Sequence, residues 1–201
     1  MKKILQAAAT GLALMLLCGF AYPLLVLGIG KLAFNSQSSG SIIYVNGKAV
    51  GSELIGQDFS ESCYFRGRPS AVYYDTFAGG TALEAIRPSS GSFNYSTSSQ
   101  ALRKRVAADI AEFLKDNPTV EEKDLPADLF TASASGLDPD ISPAAANIQV
   151  ARVSSASGIP KARVEHIIAD CTSGPQLGIF GEYRVNVLKA NLEIYRLMNN
   201  K

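Results

Sequence analysis

The sequence predicts an α+β protein in which one N-terminal transmembrane helix precedes a mixed α+β extracytoplasmic domain. Three observations predict this fold: an apolar run near the N-terminus, a hairpin signal after it, and helical periodicity in the second half. Of the 201 residues, 47% are hydrophobic and 18% are charged, which excludes a predominantly disordered chain. The formal net charge of +1 gives no electrostatic footprint for nucleic acid.

The anchor prediction rests on the run from Ile4 to Gly30, which contains no charged side chain. About 20 helical residues cross the hydrocarbon core of a bilayer, so the run is long enough. We expect residues 1–31 to form a membrane anchor, with the helix over about residues 5–30, and residues 32–201 to form the domain. A cleavable signal peptide is the alternative, but its apolar region is shorter than this run.

Pro23 follows Tyr22 inside the apolar run and predicts a kink, because proline removes one helical hydrogen bond. Gly11 and Gly19 offer small surfaces at which another membrane helix could pack closely. The alternative is that glycine and proline are simply more frequent in membrane helices. We interpret the helix as one that docks onto others.

Orientation follows from the positive charges that flank the run. Two lysines and the α-amino group lie on its N-terminal side, and Lys31 and Lys48 lie on the other side. This count slightly favours a single-pass chain with a cytoplasmic N-terminus. Outside the cytoplasm Cys63 and Cys171 could pair, but we favour two unpaired, buried thiols.

Residues 41–45 and 48–50 are predicted as the strands of a hairpin. Asn46-Gly47 stands between them, and both residues tolerate the positive φ that a tight hairpin turn requires. Residues 71–94 are rich in Gly, Ser and Pro and are expected to be irregular or to form a strand edge.

Four helices are predicted after the hairpin from capping signals and apolar periodicity. They cover residues 98 or 99–116, 142–157, 160–169 and 184–197. Their predicted inward stripes are Leu102, Val106, Ile110 and Phe113; Val164, Ile167 and Ile168; and Val185, Leu188, Leu192 and Tyr195.

Motifs of catalysis are absent from the sequence. It contains neither a G-x-S-x-G elbow nor a G-x-x-x-x-G-K-[ST] phosphate loop. His166 is the single histidine, and without a second ligand at helical spacing we expect it on a helix surface. The basic run Arg103, Lys104 and Arg105 is expected to be a solvated helix face.

Six strings occur in a fixed order from the apolar run almost to the C-terminus. They are residues 22–25 (YPLL), 51–59 (GSELIGQDF), 64–71 (YFRGRPSA), 131–139 (TASASGLDP) with 141–143 (ISP), 149–153 (QVARV), and 181–188 (GEYRVNVL) with 191–192 (NL). Together they resemble the C subunit of the Kdp-type potassium-transporting P-type ATPase. Residues 78–88 fit that family poorly, and residues 90–94 (SGSFN) depart from its SGGSN stretch.

The resemblance implies a noncatalytic accessory subunit of an ATP-driven potassium uptake complex in the bacterial inner membrane. Its partners would be a channel-like potassium-binding subunit, a P-type ATPase subunit, a small single-span subunit and membrane lipid. The chain would be needed for assembly and would act as a catalytic chaperone that raises ATP affinity. ATP and potassium would be handled by the complex, with no cofactor or metal bound tightly to this chain.

By the same resemblance, Gln149 matches a glutamine linked to nucleotide in the family. A direct role conflicts with an extracytoplasmic domain, because ATP is hydrolysed in the cytoplasm, about 30 Å of hydrocarbon away. The alternative for Gln149 is a helix residue that hydrogen-bonds a loop. Candidate partner-contact or turn residues are Gly56, Phe65, Arg68, Pro69, Gly136 and Asp138.

We expect the apolar helix to dock against the channel-like subunit and the domain to cap that subunit's outer mouth. Arg66 and Arg68 could pair with acids of a partner or with internal carboxylates. A stand-alone membrane-anchored ligand-binding domain or hydrolase is the other function considered. It would need a deep pocket with convergent titratable groups.

Overall fold

The computed structural model describes residues 1–75 and 89–199. Most of the segment predicted to be irregular, residues 71–94, lies outside these residues. The described chain divides into two compact units, one spanning Met1–Ser52 and the other beginning at Glu53. The predicted hairpin belongs to the first unit, and the later helices belong to the second.

A helix of 32 residues, Lys2–Ala33, opens the first unit and is long and apolar enough to cross a membrane. It consists of α1 (Lys2–Leu16), a π-helical turn (Leu17–Ala21) and α2 (Tyr22–Ala33). None of its residues is buried within the unit.

The disturbance predicted at Pro23 takes the form of this π-helical turn. The backbone N–H of Tyr22 donates to the carbonyl of Leu17, five residues earlier. Proline has no N–H, and its ring would clash with the carbonyl four residues before it, which is that of Gly19. A π turn widens the helix at this point, so the apolar helix continues beyond the proline.

A short helix α3 (Asn35–Ser38) precedes the hairpin of β1 (Ile42–Val45) and β2 (Lys48–Ser52). The strands are antiparallel, with Val45 opposite Lys48 across the turn. Asn46 and Gly47 have φ angles of 51° and 77°, so the predicted hairpin turn is confirmed.

The second unit contains five α-helices and one small sheet among its described residues. The helices are α4 (Gln100–Asp116), α5 (Pro143–Asn147), α6 (Val150–Ser157), α7 (Lys161–Asp170) and α8 (Val187–Asn199). Strands β3 (Asp140–Ile141), β4 (Thr172–Ser173) and β5 (Arg184–Asn186) form an antiparallel sheet in the order β3-β5-β4. The predicted α+β class is confirmed.

A capping signal placed α4 correctly, and apolar periodicity placed α7 to within one residue at each end. The Ser99 hydroxyl caps α4 by accepting the N–H of Leu102 at 3.4 Å, and the helix ends at Asp116 as predicted. The α7 stripe is buried as predicted, because Val164 is 0% exposed and Ile167 is 2% exposed.

The single helix predicted over residues 142–157 is divided into α5 and α6. The N–H of Gln149 donates to the carbonyl of Ala146, three residues earlier, and its side-chain amide donates to that of Ala145. The last turn of α5 therefore tightens, and α6 begins as a new helix at Val150.

The helix predicted over residues 184–197 is wrong at its start. Residues Arg184–Asn186 form β5, the central strand, which pairs with both β3 and β4. Such pairing involves distant residues that a local periodicity does not reveal. The predicted stripe also shifts: Tyr195 is exposed, whereas the buried positions of α8 are Val187, Leu188, Ala190, Asn191 and Ile194.

One hydrophobic core holds the second unit together. It brings side chains from α4 to α8 and from β3 and β5 around Phe65, which lies in a loop and is 1% exposed. Phe113 of α4 packs edge to face on Phe130, with ring centroids 5.6 Å apart. A loop residue at the centre of the core requires its own backbone to be hydrogen-bonded there.

Candidate functional site: a clamped loop beside an arginine cleft

Residues 62–66 cross the core as a loop whose backbone groups are held by side chains. The N–H of Phe65 donates to Asn191 Oδ1 at 2.8 Å, and Asn191 Nδ2 donates to the Phe65 carbonyl at 2.9 Å. Buried backbone groups need partners, and here the Asn191 amide replaces a neighbouring strand.

Gln149 holds the next residue of the loop in the same way. Its Oε1 accepts the N–H of Arg66 at 2.9 Å and Nη2 of Arg152 at 2.6 Å. Its Nε2 donates to the carbonyls of Arg66 at 3.2 Å and Ala145 at 3.0 Å. The side chain is 0% exposed, and both amide protons and both acceptor positions are in use.

Arg152 completes the group that we name the loop clamp, which consists of Gln149, Arg152 and Asn191. Its Nη1 donates to the carbonyls of Ser62 and Tyr64 at 2.6 Å and 2.9 Å. Burial, followed by the nearby charge of Arg66, lowers the pKa of Arg152 to about 10. The guanidinium therefore keeps its proton at neutral pH and can donate to several acceptors at once.

A cavity of about 730 Å³, which we name the arginine cleft, lies beside the clamped loop. Three arginines line it, and each is paired with a carboxylate of the same unit. Arg66 contacts Asp116 at 2.6 Å, Arg68 contacts Asp138 at 2.9 Å, and Arg105 contacts Asp109. The structure thus pairs Arg66 and Arg68 with internal acids, the second of the two partner sets considered from the sequence.

Arg105 departs from the predicted solvated run. Its side chain is only 17% exposed, Nη2 donates to the Phe130 carbonyl at 2.9 Å, and the guanidinium carbon lies 5.3 Å from the centre of the Phe93 ring. Phe93 is in turn stacked on Tyr95. Arg105 therefore packs against a pair of aromatic rings that line the cleft. Sequence reasoning missed this role because residue 93 is remote from the α4 run.

Gly56 lies where two loops approach closely. Its N–H donates to the Leu137 carbonyl at 2.8 Å, and a Cβ added to it would lie 2.5 Å from Tyr74 Cε1 and 2.6 Å from the Asp138 carbonyl oxygen. Tyr74 in turn donates to the carbonyl of Arg68, and burial raises the pKa of the phenol. The space fits only glycine.

Gly136 has a φ of +69°, and a Cβ added there would lie 2.7 Å from the Gly91 carbonyl oxygen. Pro69 lies on the cleft lining between Arg68 and Ser70, whose hydroxyl donates to the Gly136 carbonyl at 2.7 Å. Of the candidate contact or turn residues, Phe65 lies in the core and the others meet around the cleft and its neighbouring turns.

The candidate packing residues of the apolar helix belong to the first unit. Gly11, Gly19, Tyr22 and Pro23 are all exposed on the helix surface. A Cβ added to Gly11 or Gly19 would have nothing within 4 Å. Their small surfaces are therefore open to another helix.

The two thiols of the domain are unpaired and the histidine lies on a helix surface, as predicted, but one of the thiols is less buried than expected. Cys63 and Cys171 are free; the first is buried and the second is half-buried. Burial raises the pKa of Cys171 to about 11 and also raises that of Cys63. His166 is 61% exposed and contacts Asp170 at 2.8 Å on the surface of α7. Within residues 1–75 and 89–199, no group of three or more His, Cys, Asp or Glu residues could hold a metal ion.

These features define a class of protein in which one apolar helix is joined to a small α+β domain that uses its buried polar side chains to fix its own loops. The sequence matches the family described as "KdpC: K+-transporting ATPase, c chain" over residues 4–196. The chain belongs to this family, which confirms the resemblance found from its six strings.

Three relatives illustrate how much of the chain the similarity covers. A protein of Clostridioides difficile is 45% identical, over 98% of this chain and 99% of the relative. Proteins of Clostridium kluyveri and Bacillus cereus are each 46% identical, over 94% and 92% of this chain and 93% and 90% of the relatives. All three are named potassium-transporting ATPase KdpC subunit.

Proposed function

We propose that this chain is the accessory subunit of a potassium-transporting ATPase complex, anchored in the membrane by its apolar helix and without catalytic activity of its own. Similarity over almost the full length to three relatives that carry this name is the observation on which the proposal rests. The anchor helix, Lys2–Ala33, supports it by length and composition.

The chain crosses the bacterial inner membrane once, with its N-terminus in the cytoplasm and its α+β domain outside. The lysines near the N-terminus support this orientation. The partners are a channel-like potassium-binding subunit, a P-type ATPase subunit and a small single-span subunit. The open faces at Gly11 and Gly19 suit close packing against a helix of the channel-like subunit.

The domain caps the outer mouth of the channel-like subunit and also raises the ATP affinity of the ATP-hydrolysing subunit, as a catalytic chaperone would. In this topology the effect on ATP is a coupling free energy transmitted through the complex, not a direct contact. The geometry of Gln149 supports coupling, since all of its hydrogen-bonding capacity is used within the domain. Gln149 then influences nucleotide through the shape of the domain.

Co-purification tests the proposal. A tag on the ATP-hydrolysing subunit should retain this chain in stoichiometric amount after solubilisation in mild detergent. Purification of the chain alone, with hydrolytic activity of its own, would instead favour the stand-alone enzyme.

The capping role has a separate test. Deletion of residues 53–201 leaves the first unit, Met1–Ser52, in place. We expect the complex to assemble but potassium uptake at micromolar supply to fall. Unchanged uptake would refute the capping role without refuting membership of the complex.

A further inference from the structure

The segment between β4 and β5, residues 174–183, exposes an unusual number of apolar side chains. Leu177 is 88% exposed and Ile179 is 77% exposed, and Phe180 and Tyr183 are each 64% exposed. Leu177 is the most exposed large apolar side chain among the described residues of the second unit. We name residues 174–183 the apolar tip.

Backbone hydrogen bonds hold the apolar tip in one shape. Gln176 and Phe180 exchange backbone bonds of 2.7 Å and 3.0 Å, and the N–H of Ile179 donates to the Gln176 carbonyl at 3.1 Å. At its base, Ser173 pairs with Arg184 in the central sheet. The apolar side chains are therefore presented by a fixed turn and not by a loose loop.

The choice of residue at the turn is costly for the isolated chain. Leu177 and Gly178 have φ angles of 55° and 74°, similar to the 51° and 77° of Asn46 and Gly47 in the other hairpin. Asparagine and glycine suit such turns, whereas leucine is strained at positive φ. The tip thus combines a strained backbone with a solvated leucine, and neither benefits folding, so a function outside this chain accounts for both.

Charge indicates what covers the tip. Residues 174–183 contain no lysine or arginine, and Glu182 is their only charged residue. Segments that lie on bacterial lipid usually combine apolar residues with basic ones, because the lipid surface is anionic. A rigid apolar turn without basic residues suits an apolar pocket on a protein, where a preformed shape lowers the entropic cost of binding.

We propose that the apolar tip docks into an apolar pocket on another subunit of the transport complex, with Leu177, Ile179 and Phe180 as the buried anchors. The proposal rests on the proposed function for the existence of that complex. Its specific content is the position of the contact, which neither family membership nor the anchor helix supplies.

Photo-cross-linking in native membranes tests the position. The full-length chain carries p-benzoylphenylalanine in place of Phe180, and a matched control carries it in place of Tyr195, which is 41% exposed on α8. We expect Phe180 to give an adduct with another subunit at a yield at least fivefold above that of Tyr195. Equal yields, adducts with lipid only, adducts with a second copy only, or no adduct would each overturn the proposal.

A second pair of variants separates docking from folding. Leu177→Asn introduces the residue type found at the equivalent turn position, Asn46, so we expect an unchanged or higher thermal unfolding midpoint. Because it removes an apolar anchor, we also expect the Phe180 cross-link yield to be at least fivefold lower. Leu177→Met keeps an apolar side chain and should retain the yield. An undiminished yield in Leu177→Asn would overturn the proposal. If the unsubstituted chain does not co-purify with the complex, it is the proposed function that fails; if it does co-purify but the Phe180 cross-link is absent, only the docking site is wrong.

Discussion

Gln149 shows how a polar residue inside a core can act as a structural element. Its four hydrogen bonds join α5 and α6 to the backbone of Arg66, a residue 83 positions away in the sequence. The sequence allowed for a helix residue that hydrogen-bonds a loop, but it could not identify which loop. Asn191 was missed as a clamp residue, although a polar side chain within the buried stripe of α8 is the signal that would have revealed it.

Replacement of Gln149 by leucine should therefore destabilise the domain. The variant is similar in size but leaves the N–H and carbonyl of Arg66 without partners in the core, and we expect a loss of about 3 kcal/mol in the free energy of unfolding. Urea unfolding of the detergent-solubilised chain measures it. Gln100→Leu, at an exposed position of α4, is the control and should change stability by less than about 0.5 kcal/mol. Full stability with a lowered ATP affinity of the complex would contradict the structural role.

The thiol of Cys171 should react with iodoacetamide only at strongly alkaline pH. Its pKa rises from 9.0 to about 11 through burial, and the charges of Glu193 and Asp170 act in the same direction. Because the thiolate is the reactive form, the labelling rate in the folded chain should reach half its maximum near pH 11, against about pH 9 in urea. Mass spectrometry of the labelled peptide measures both midpoints.

The same shift has a defined effect on stability. The folded chain keeps the Cys171 proton at pH values where the unfolded chain has lost it, so unfolding releases a proton between about pH 9 and 11. The free energy of unfolding should therefore fall as pH rises through this window, and less so in Cys171→Ser. A labelling midpoint near pH 9 in the folded chain would show that the thiol is not shielded.

At the scale of elements, the sequence predicted the ends of helices and strands correctly where a capping residue or a turn defines them. The hairpin at Asn46-Gly47 and the starts of α4 and α5 follow from neighbouring residues alone. Elements that depend on distant pairing were missed: β5 needs β3 and β4, and the break at Gln149 needs the clamped loop. Arg66 and Arg68 illustrate the same limit, because their carboxylate partners, Asp116 and Asp138, come from other segments.

Ser142 should contribute more to stability than a typical cap. Its hydroxyl accepts the N–H of Ala145 at 3.0 Å and donates to Asp128 Oδ1 at 3.1 Å, so it caps α5 and joins it to another loop. We expect Ser142→Ala to cost about 1–2 kcal/mol. Ser99→Ala, which removes a single 3.4 Å cap, should cost about 0.5 kcal/mol. Equal losses in urea unfolding would show that the contact with Asp128 adds nothing.

For the whole molecule, the length of the anchor helix determines how far the domain lies from the other side of the membrane. Its 32 residues extend about 48 Å at 1.5 Å per residue, more than the hydrocarbon core of about 30 Å. In the proposed topology, with the domain outside, no described residue from Glu53 onward would reach a nucleotide in the cytoplasm. Any effect on ATP must then pass through contacts between subunits, and it must persist when protein and nucleotide lie on opposite sides of a sealed membrane.

This requirement leads to a prediction for sealed right-side-out vesicles that contain the complex and have ATP inside. Protease added outside should remove the second unit while the anchor helix remains in the membrane. Typical coupling free energies of 1–3 kcal/mol correspond to about 5–150-fold in affinity, so the ATP concentration for half-maximal activity should rise by a factor in that range. Vesicles treated with inactivated protease are the control. Protection of the domain from protease would contradict the topology, whereas complete removal without a change in ATP dependence would contradict the coupling and leave assembly as the contribution of this chain.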